Sequence, residues 1–431
     1  LASLFTEDFK TDPYWWEDVH NMALAGAALP SAADVVVIGS GYTGLNAALQ
    51  TVRGGRSTLV LDAESAGWGC STRNGGQIST SIKLTYDQLA TRFNRRRASA
   101  ILEEGNNALT WIERFVEGEN IDCNFSVCGR FHGAHNPAAY KKLGNTLRTR
   151  TRGSRLEAHL VSRSDQRSEL GTDTYHGGIV FPNHASLHPA RYHTGLLRRA
   201  REAGVSIHAH CPVSAIEKQG AGFRVISPNG SVTAGNVVVA SNGYTGSITP
   251  WQRRRVIPIG SYMIATEPLA DGVIDTLMPR NRICSDTRRM VYYYRPSPDR
   301  SRILFGGRVS HDETDTRQSG ALLHRELQAI FPELAGARVS HSWMGFVAYT
   351  FDTLAHIGKH NGIHYAMGYC GSGVSVASYL GMRIGQQVLG DPEGKTGFDG
   401  LKFSTRPLYT GDPWFLPYAI RYYKWRDRHS F

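Results

Sequence analysis

Three glycines spaced as Gly39-Ser-Gly41-Tyr-Thr-Gly44, followed by an acid at Asp62, are the residues of this 431-residue chain that most directly imply chemistry. Gly39 allows a tight turn, Gly41 lets the backbone approach a pyrophosphate, and Gly44 permits close packing of a helix on a strand. Asp62 stands where a carboxylate would accept hydrogen bonds from ribose hydroxyls. The set describes a site for an adenine dinucleotide. The elements that must position it are legible around it: Asp34-Val-Val-Val-Ile38 reads as a buried parallel strand, and Leu45, Ala48, Leu49 and Val52 share one face of a helix stopped by Gly54-Gly55. Ser57-Thr-Leu-Val-Leu61 is the second strand, ending at Asp62 and Ala63. The helix start, with Tyr42 and Thr43 in its first turn, points its unpaired N–H groups at the phosphates.

Four further segments narrow the dinucleotide to FAD. In Gly67-Trp-Gly-Cys-Ser71-Thr72-Arg73-Asn74-Gly75-Gly76-Gln77, glycines and small polar residues would let backbone N–H groups reach the flavin N5 and O4 edge. Pro212-Val213 opens a strand that would offer a backbone edge to adenine. Ala240-Ser-Asn242-Gly243-Tyr244 turns off a buried strand near the diphosphate. Gly368-Tyr-Cys-Gly371-Ser372-Gly373-Val374-Ser375 leads into a helix with Val374, Ala377, Leu380, Ile384 and Val388 on one face and Gly390 as its stop. That helix start would face the flavin N1 and O2 edge, where negative charge collects on reduction.

The length suggests two or three domains at roughly 150 residues each. Residues 1–91, 176–255 and 344–400 read as a discontinuous FAD domain, residues 92–175 and 256–343 as a substrate domain rich in antiparallel strands, and 401–431 as a C-terminal tail. Pro13-Tyr-Trp-Trp16 looks like an arm that packs its aromatics on the body. The six cysteines lack CxxC pairing, so free thiols in a reducing compartment and no metal site are expected. No run approaches the roughly 18 apolar residues of a membrane helix. No secretory signal is visible, and a cytoplasmic protein without stable membrane insertion is expected. The net charge of +11 favours anionic ligands. Arginine clusters at 92–97, 148–155 and 253–255 read as solvated surface, and no nucleic acid partner is expected.

With GWGCSTRNGGQ (67–77), LHPARY (187–192), NGYTG (242–246), GSYMIATEPL (260–269), ILFGGR (303–308), GFVAYTFDTLAHIG (345–358) and MGYCGSGVSVASYLG (367–381), the chain resembles the D-amino-acid-oxidase-type FAD-dependent oxidoreductases over nearly its whole length. Within them it is similar to the gamma-glutamylputrescine-oxidoreductase-like amine oxidases. The resemblance implies an α/β fold: a discontinuous, glutathione-reductase-like (Rossmann-type) FAD domain joined to an α+β antiparallel-sheet substrate domain. It also implies oxidation of a C–N bond to an imine that hydrolyses, with dioxygen reduced to hydrogen peroxide.

Matching to sarcosine-oxidising members places Arg73 at an arginine near the flavin. Gly76 and Ser375 stand where those members hold the substrate carboxylate, Leu304 stands near their oxygen-activating lysine, and Val347 replaces their flavin-linking cysteine. Noncovalent FAD is therefore expected, with Cys70 or Cys370 as the thiols from which a link could otherwise arise. Arg308 and Arg295 are the candidates to meet a substrate carboxylate, because arginine pairs with it bidentately. Tyr262 and Trp343 are candidate walls of an amine pocket, and His356 a candidate proton relay. Gly345 is a candidate flavin contact, and His188 is assigned to structure. The expected substrate is a small amine or secondary amino acid such as gamma-glutamylputrescine, a sarcosine-like compound or iminodiacetate. Two alternatives are a tRNA-modifying flavoprotein that removes a carboxymethyl group, for which a second, methyltransferase-like domain would be expected, and an amino-acid dehydrogenase delivering electrons to a quinone. The latter would use the aromatic tail at an interface.

Overall fold

The computed structural model describes residues 4–19, 28–80, 82–150, 157–308 and 315–429. Residues 151–155 of the second arginine cluster lie outside them. Two sheets organise the chain. In the first, strands Ala32–Ile38, Thr58–Leu61 and Ser206–His208 run parallel, and Gly230–Val239 and Ile363–Met367 extend the parallel core on the other side. Such strands are buried on both faces, which is why Val35–Ile38 is an unbroken apolar run. Val35, Val37, Val60 and Val238 face a helical layer, while Val36, Ile38, Leu59, Leu61, Val237 and Val239 face the opposite side with Phe223 and Val225 of the antiparallel strand Gly222–Ser227.

The helical layer contains Tyr42–Arg53, Pro189–Glu202 and Gly373–Leu389. The long helix Arg95–Gly118, whose start is capped by Asn94 Oδ1 accepting from the Arg97 N–H at 2.8 Å, joins them. Ile101, Ala108 and Ile112 bury their side chains in the same cluster as Leu45 and Leu380, so this helix packs with the parallel sheet although the sequence reading groups it with the substrate side. An amphipathic face shows that a helix packs, but not which sheet it meets.

The second sheet has nine strands: Phe5–Lys10, Val339–Thr350, Val256–Thr266, Ile303–Gly307, Tyr293–Pro296, Ile283–Asp286, Arg130–Gly133, Gly178–Phe181 and His159–Val161, in that spatial order. Most neighbours are antiparallel, as expected, with parallel pairs at Phe5–Lys10 and between Ile283–Asp286 and Arg130–Gly133. One face is covered by helix Thr316–Ile330, with Leu323 and Leu327 packed on Tyr262, Ile264 and Phe305. The other face borders the site. The aromatic arm packs as read: Trp15 is fully buried, its Nε1–H donates to the Asn74 carbonyl at 2.8 Å, and Trp16 Nε1–H donates to Thr72 Oγ1 at 2.8 Å. No helix among the described residues is long and apolar enough to cross a membrane.

Helices Tyr42–Arg53 and Gly373–Leu389 meet backbone to backbone. A Cβ at Gly381 would overlap the Thr43 carbonyl, and one at Gly385 would lie 2.9 Å from the Ala47 carbonyl oxygen. Gly381→Ala is therefore expected to lower stability by about 1–3 kcal/mol, the usual range for overpacking. The measurement is the urea unfolding midpoint, and a midpoint equal to that of the parent protein would show that the two helices can separate at no cost.

Candidate functional site

At the end of strand Ala32–Ile38 the chain turns through Gly39, whose φ of +102° is a conformation that favours glycine, and enters the next helix at Gly41 with no side-chain cap. A Cβ at Gly44 would collide with the Gly39 carbonyl, and one at Gly41 would sit 2.9 Å from Ser71 Oγ. Any side chain at Gly39, Gly41 or Gly44 would strain this turn or intrude on it. Asp62 holds the turn from the neighbouring strand: Oδ2 accepts from the Ser40 N–H at 2.7 Å and Oγ–H at 2.6 Å, and Oδ1 accepts from the Glu64 N–H at 3.0 Å. Gly39, Gly41, Tyr42, Thr43, Asp62 and Ala63 all line one cleft of about 1020 Å³. Gly44 lies beneath it and acts on packing alone.

The glycine-rich segment forms the next stretch of wall. Ser71, Arg73, Asn74, Gly75 and Gln77 line the cleft. Ser71 Oγ accepts from the Tyr42 N–H at 3.0 Å, tying the segment to the helix start. Arg73 donates from Nε to the Trp68 carbonyl at 2.7 Å and stacks near the rings of Trp16 and Trp68, 4.8 and 4.7 Å from their centroids. Burial lowers its pKa. Gln77 Nε2–H donates to the Tyr294 carbonyl at 3.1 Å, joining the cofactor wall to the second sheet. Thr72 and Gly76 do not line the cleft: Thr72 Oγ–H donates to the Gly67 carbonyl at 2.7 Å, and Gly76, at φ +65°, donates its N–H to Asn74 Oδ1 at 2.9 Å.

Pro212, Val213, Ala240 and Asn242 also line the cleft: the Cys211 N–H donates to the Asp62 carbonyl at 2.7 Å, and Asn242 Oδ1 accepts from the Gly368 N–H at 2.9 Å. Gly243 backs onto Phe346, where a Cβ would stand 2.9 Å from the carbonyl oxygen. Gly345, Gly371, Ser372, Gly373 and Val374 border the cleft, and Ser372 is the N-cap of helix Gly373–Leu389, with no side-chain cap bond to the helix. Ser375 is buried one position inward, its Oγ 3.5 Å from the Ser79 carbonyl oxygen. These residues fit FAD. They form an uncapped helix start behind three glycines, an acid at the second strand end, and a second uncapped helix start at the far side, all on one cleft.

Another wall of the cleft comes from the second sheet. Gly260, Ser261, Tyr293 and Arg308 line the cleft; Tyr293 and Ser261 share a hydrogen bond of 3.0 Å, and Arg308 Nη1–H donates to the Gly260 carbonyl at 2.8 Å. Phe346, Tyr349 and Tyr244 add aromatic wall. The tail also contributes: Leu416, Ala419, Ile420 and Tyr423 of helix Leu416–His429 line the cleft, and Asp427 accepts from the backbone N–H groups of Arg289 at 3.0 Å and Met290 at 3.1 Å. Sequence reasoning missed Tyr293, Tyr349, Lys83 and Arg130 as cleft residues. Only the position of Tyr293 within a predicted strand hinted at its face.

Four candidates fall elsewhere. Tyr262 alternates with Ser261 along its strand, so it points through the sheet into the core beneath helix Thr316–Ile330. Trp343 lies one layer behind the cleft, packed with Trp15 and Met263, and its Nε1–H donates to the Arg73 carbonyl at 2.8 Å. His356 is buried against Asp352, 3.0 Å from Oδ1, and stacks on Phe403 with centroids 4.0 Å apart, outside the cleft lining. The hydrogen bonds it receives hold the Asp352 carboxyl below its ordinary pKa. Arg295 does not reach a substrate: its Nη1–H groups donate to the carbonyls of Gly76 at 3.2 Å and Leu187 at 2.9 Å, and burial pulls its pKa down to about 10. His188 caps helix Pro189–Glu202 by accepting from the Arg191 N–H at 3.2 Å. Among the described residues, no group of three or more His, Cys, Asp or Glu is placed to hold a metal ion.

The sequence pattern of the family described as DAO, FAD dependent oxidoreductase, matches residues 34–387. The chain is 32% identical over 403 residues to a probable oxidoreductase OrdL of Rhizobium meliloti (strain 1021), covering 92% of each. It is 29% identical over 404 residues to the gamma-glutamylputrescine oxidoreductase of Escherichia coli (strain K12), covering 92% of this chain and 93% of that one. The crystal structure of glycine oxidase from Geobacillus kaustophilus superposes with a TM-score of 0.74 at 16% identity, over 88% of this chain and 99% of that one.

A carboxylate that meets ribose hydroxyls contributes about 1.5–3 kcal/mol per charge-assisted bond, or roughly tenfold or more in affinity. Asp62→Ala should therefore purify flavin-poor and bind added FAD at least about tenfold more weakly by fluorescence quenching. Full occupancy with unchanged affinity would place the ribose elsewhere.

Proposed function

The chain belongs to the FAD dependent oxidoreductase family, and from that premise we propose that it oxidises the C–N bond of a small, carboxylate-bearing amine or N-substituted amino acid, with dioxygen as electron acceptor. The enzyme is an FAD-dependent oxidoreductase related to amine and amino-acid oxidases. The observation that carries the finer reading is the single cleft that joins every cofactor segment to a basic sheet face presenting Arg308.

Bound FAD supplies the two-electron acceptor. The chain supplies orientation and a charge field. Tyr293, held by Ser261, and Gly75 form a flat floor, since a Cβ at Gly75 would come within 3.0 Å of the Tyr293 ring. Among the described residues lining the cleft, the carboxylates are Asp62 and Glu64, whereas the cations are Arg73, Lys83, Arg130, Arg289 and Arg308. A positive field disfavours an ammonium ion, so a bound amine loses its proton more readily there. The neutral nitrogen can then assist loss of the adjacent C–H. The substrate gives up two electrons and two protons, dioxygen takes both to become hydrogen peroxide, and water splits the imine into a carbonyl compound and an amine.

The flavin is held without a covalent bond in this reading. Val347 lines the cleft without a nucleophile, and burial pushes the Cys70 and Cys370 thiols each up to about 11, which keeps them protonated. Gamma-glutamylated diamines, sarcosine-like compounds and iminodiacetate are the substrates to try, in a cytoplasmic setting. The domain division set out above stands as part of the proposal, with helix Arg95–Gly118 on the FAD side.

Anaerobic mixing with these amines should bleach the flavin, and admitting air should restore the colour with release of hydrogen peroxide. Acid precipitation should leave yellow FAD in the supernatant; a yellow pellet would show a covalent link. Arg308→Lys keeps the charge and loses the bidentate fork, and Arg308→Ala loses both, so the flavin reduction rate per unit of acidic substrate should fall in the order Arg, Lys, Ala. For Ala the expected loss is about 2–4 kcal/mol, or roughly 30-fold to 1000-fold. An uncharged amine that reduces the flavin as well as any acid does would overturn the acidic-substrate assignment.

A further inference from the structure

A second cationic patch borders the cleft, and neither the cofactor segments nor Arg308 account for it. Lys83 and Arg130 both line it. Lys83 is exposed on the cleft wall. Its Nζ lies 3.7 Å from the Cβ position of Gly371, and the Tyr349 hydroxyl lies 3.6 Å from the same point, so amine and phenol stand just before the start of helix Gly373–Leu389. No described residue forms a hydrogen bond or ion pair with Nζ. The strongest charge acting on Lys83 is another cation, Arg130, and this repulsion adds to desolvation in lowering its pKa.

Arg130 is fixed by its surroundings. Its Nε–H donates to Ser285 Oγ at 2.8 Å, and the same hydroxyl lies 2.8 Å from His132 Nδ1. His132 pairs with Ser285, Ser285 with Tyr293, and Tyr293 with Gly306 across the sheet, so these positions share the cleft face. Arg130 and Arg308 lie two residues from His132 and Gly306 along their strands, which puts both on that face, on opposite flanks of Tyr293. Three strand spacings separate the two arginine-bearing strands, about 14 Å at ~4.8 Å each. The long side chains reach inward from both flanks.

Two cations that border one cavity repel each other, and an anion between them relieves that repulsion. We propose that Lys83 and Arg130 form a second anion subsite that receives a carboxylate of the substrate, across Tyr293 from Arg308. The preferred substrate is then an amine with a carboxylate toward each end, such as an N-carboxyalkyl amino acid. This rests on the reading of the cleft as an amine-oxidising site, but anion binding can be measured without turnover.

The test titrates the FAD-loaded enzyme by calorimetry with straight-chain dicarboxylates from succinate to suberate and with the monocarboxylates of matching length, while following the flavin absorbance. At the best length the dicarboxylate should bind at least about tenfold more tightly than its monocarboxylate, equivalent to about 1.4 kcal/mol. Lys83→Met should abolish that advantage, Lys83→Arg should restore most of it, and Arg308→Ala should abolish it from the other flank. The subsite is overturned if dicarboxylates show no advantage in the parent enzyme, or if Lys83→Met leaves the advantage intact. It is equally overturned if Lys83→Met changes the flavin spectrum without changing carboxylate affinity, because the lysine would then serve the cofactor. If no amine bleaches the flavin yet the dicarboxylate advantage persists and depends on Lys83, the amine-oxidising reading fails and the subsite stands.

Discussion

The close approach of two helices, Tyr42–Arg53 and Gly373–Leu389, is the constraint on which the site depends. They belong to opposite ends of the chain, and glycines at 381 and 385 let one backbone lie against the other where any side chain would intrude. The glycines lie in the third and fourth turns of helix Gly373–Leu389 and meet Thr43 and Ala47 in the first two turns of the other, and both uncapped helix starts border one cleft. Thr43 reinforces the contact through Oγ1, which lies 2.6 Å from the Tyr369 hydroxyl and donates to the Ala377 carbonyl at 3.2 Å. Two positive dipole ends in one cavity favour a ligand that carries negative charge at both places, as a diphosphate joined to a reducible ring does.

Behind the cleft stands a second layer whose work is to hold backbone. Trp15, Trp343 and Arg295 each donate to a carbonyl of the segment Arg73–Gly76. A glycine-rich segment pays a large entropy cost when ordered, and these bonds fix its path from the rear while leaving its front free for a ligand. Residues that look chemical by type are spent here on positioning, which is why Arg295 and Trp343 sit near the site without facing it.

Charge is unevenly distributed in the cleft. Among the described residues lining it, the carboxylates are Asp62 and Glu64, at and just after a strand end of the first sheet, whereas Arg130 and Arg308 stand on the second sheet and Arg73, Lys83 and Arg289 on loops. The overall charge of +11 gave only the sign of the preferred ligand. The sheet turns that sign into positions, because strand pairing fixes which side chains share a face and how far apart they stand. The C-terminal helix closes the same region, with Tyr423 on the cleft and Asp427 capping the backbone of the Arg289–Met290 turn.

Local rules were enough for the sequence to determine the strand–helix–strand unit. Glycine spacing and apolar periodicity act within a few dozen residues, so strands Ala32–Ile38 and Thr58–Leu61, the helix between them and helix Gly373–Leu389 are legible without a structure. The glycine-rich segment was legible as a wall, though not which of its residues face inward: Thr72 and Gly76 turn away while Ser71 and Gln77 turn in. Only the tertiary structure decided the substrate half. Tyr262 and Ser261 are adjacent in sequence and lie on opposite faces of the sheet, so a one-residue choice of register exchanges core for cleft. His356 went to Asp352 and Phe403, and helix Arg95–Gly118 to the parallel sheet, through partners distant in sequence. Lys83 and Arg130 carry no motif at all. A loop after the glycine-rich segment and a strand of the other sheet border the same cavity, and that arrangement exists only once the chain has folded.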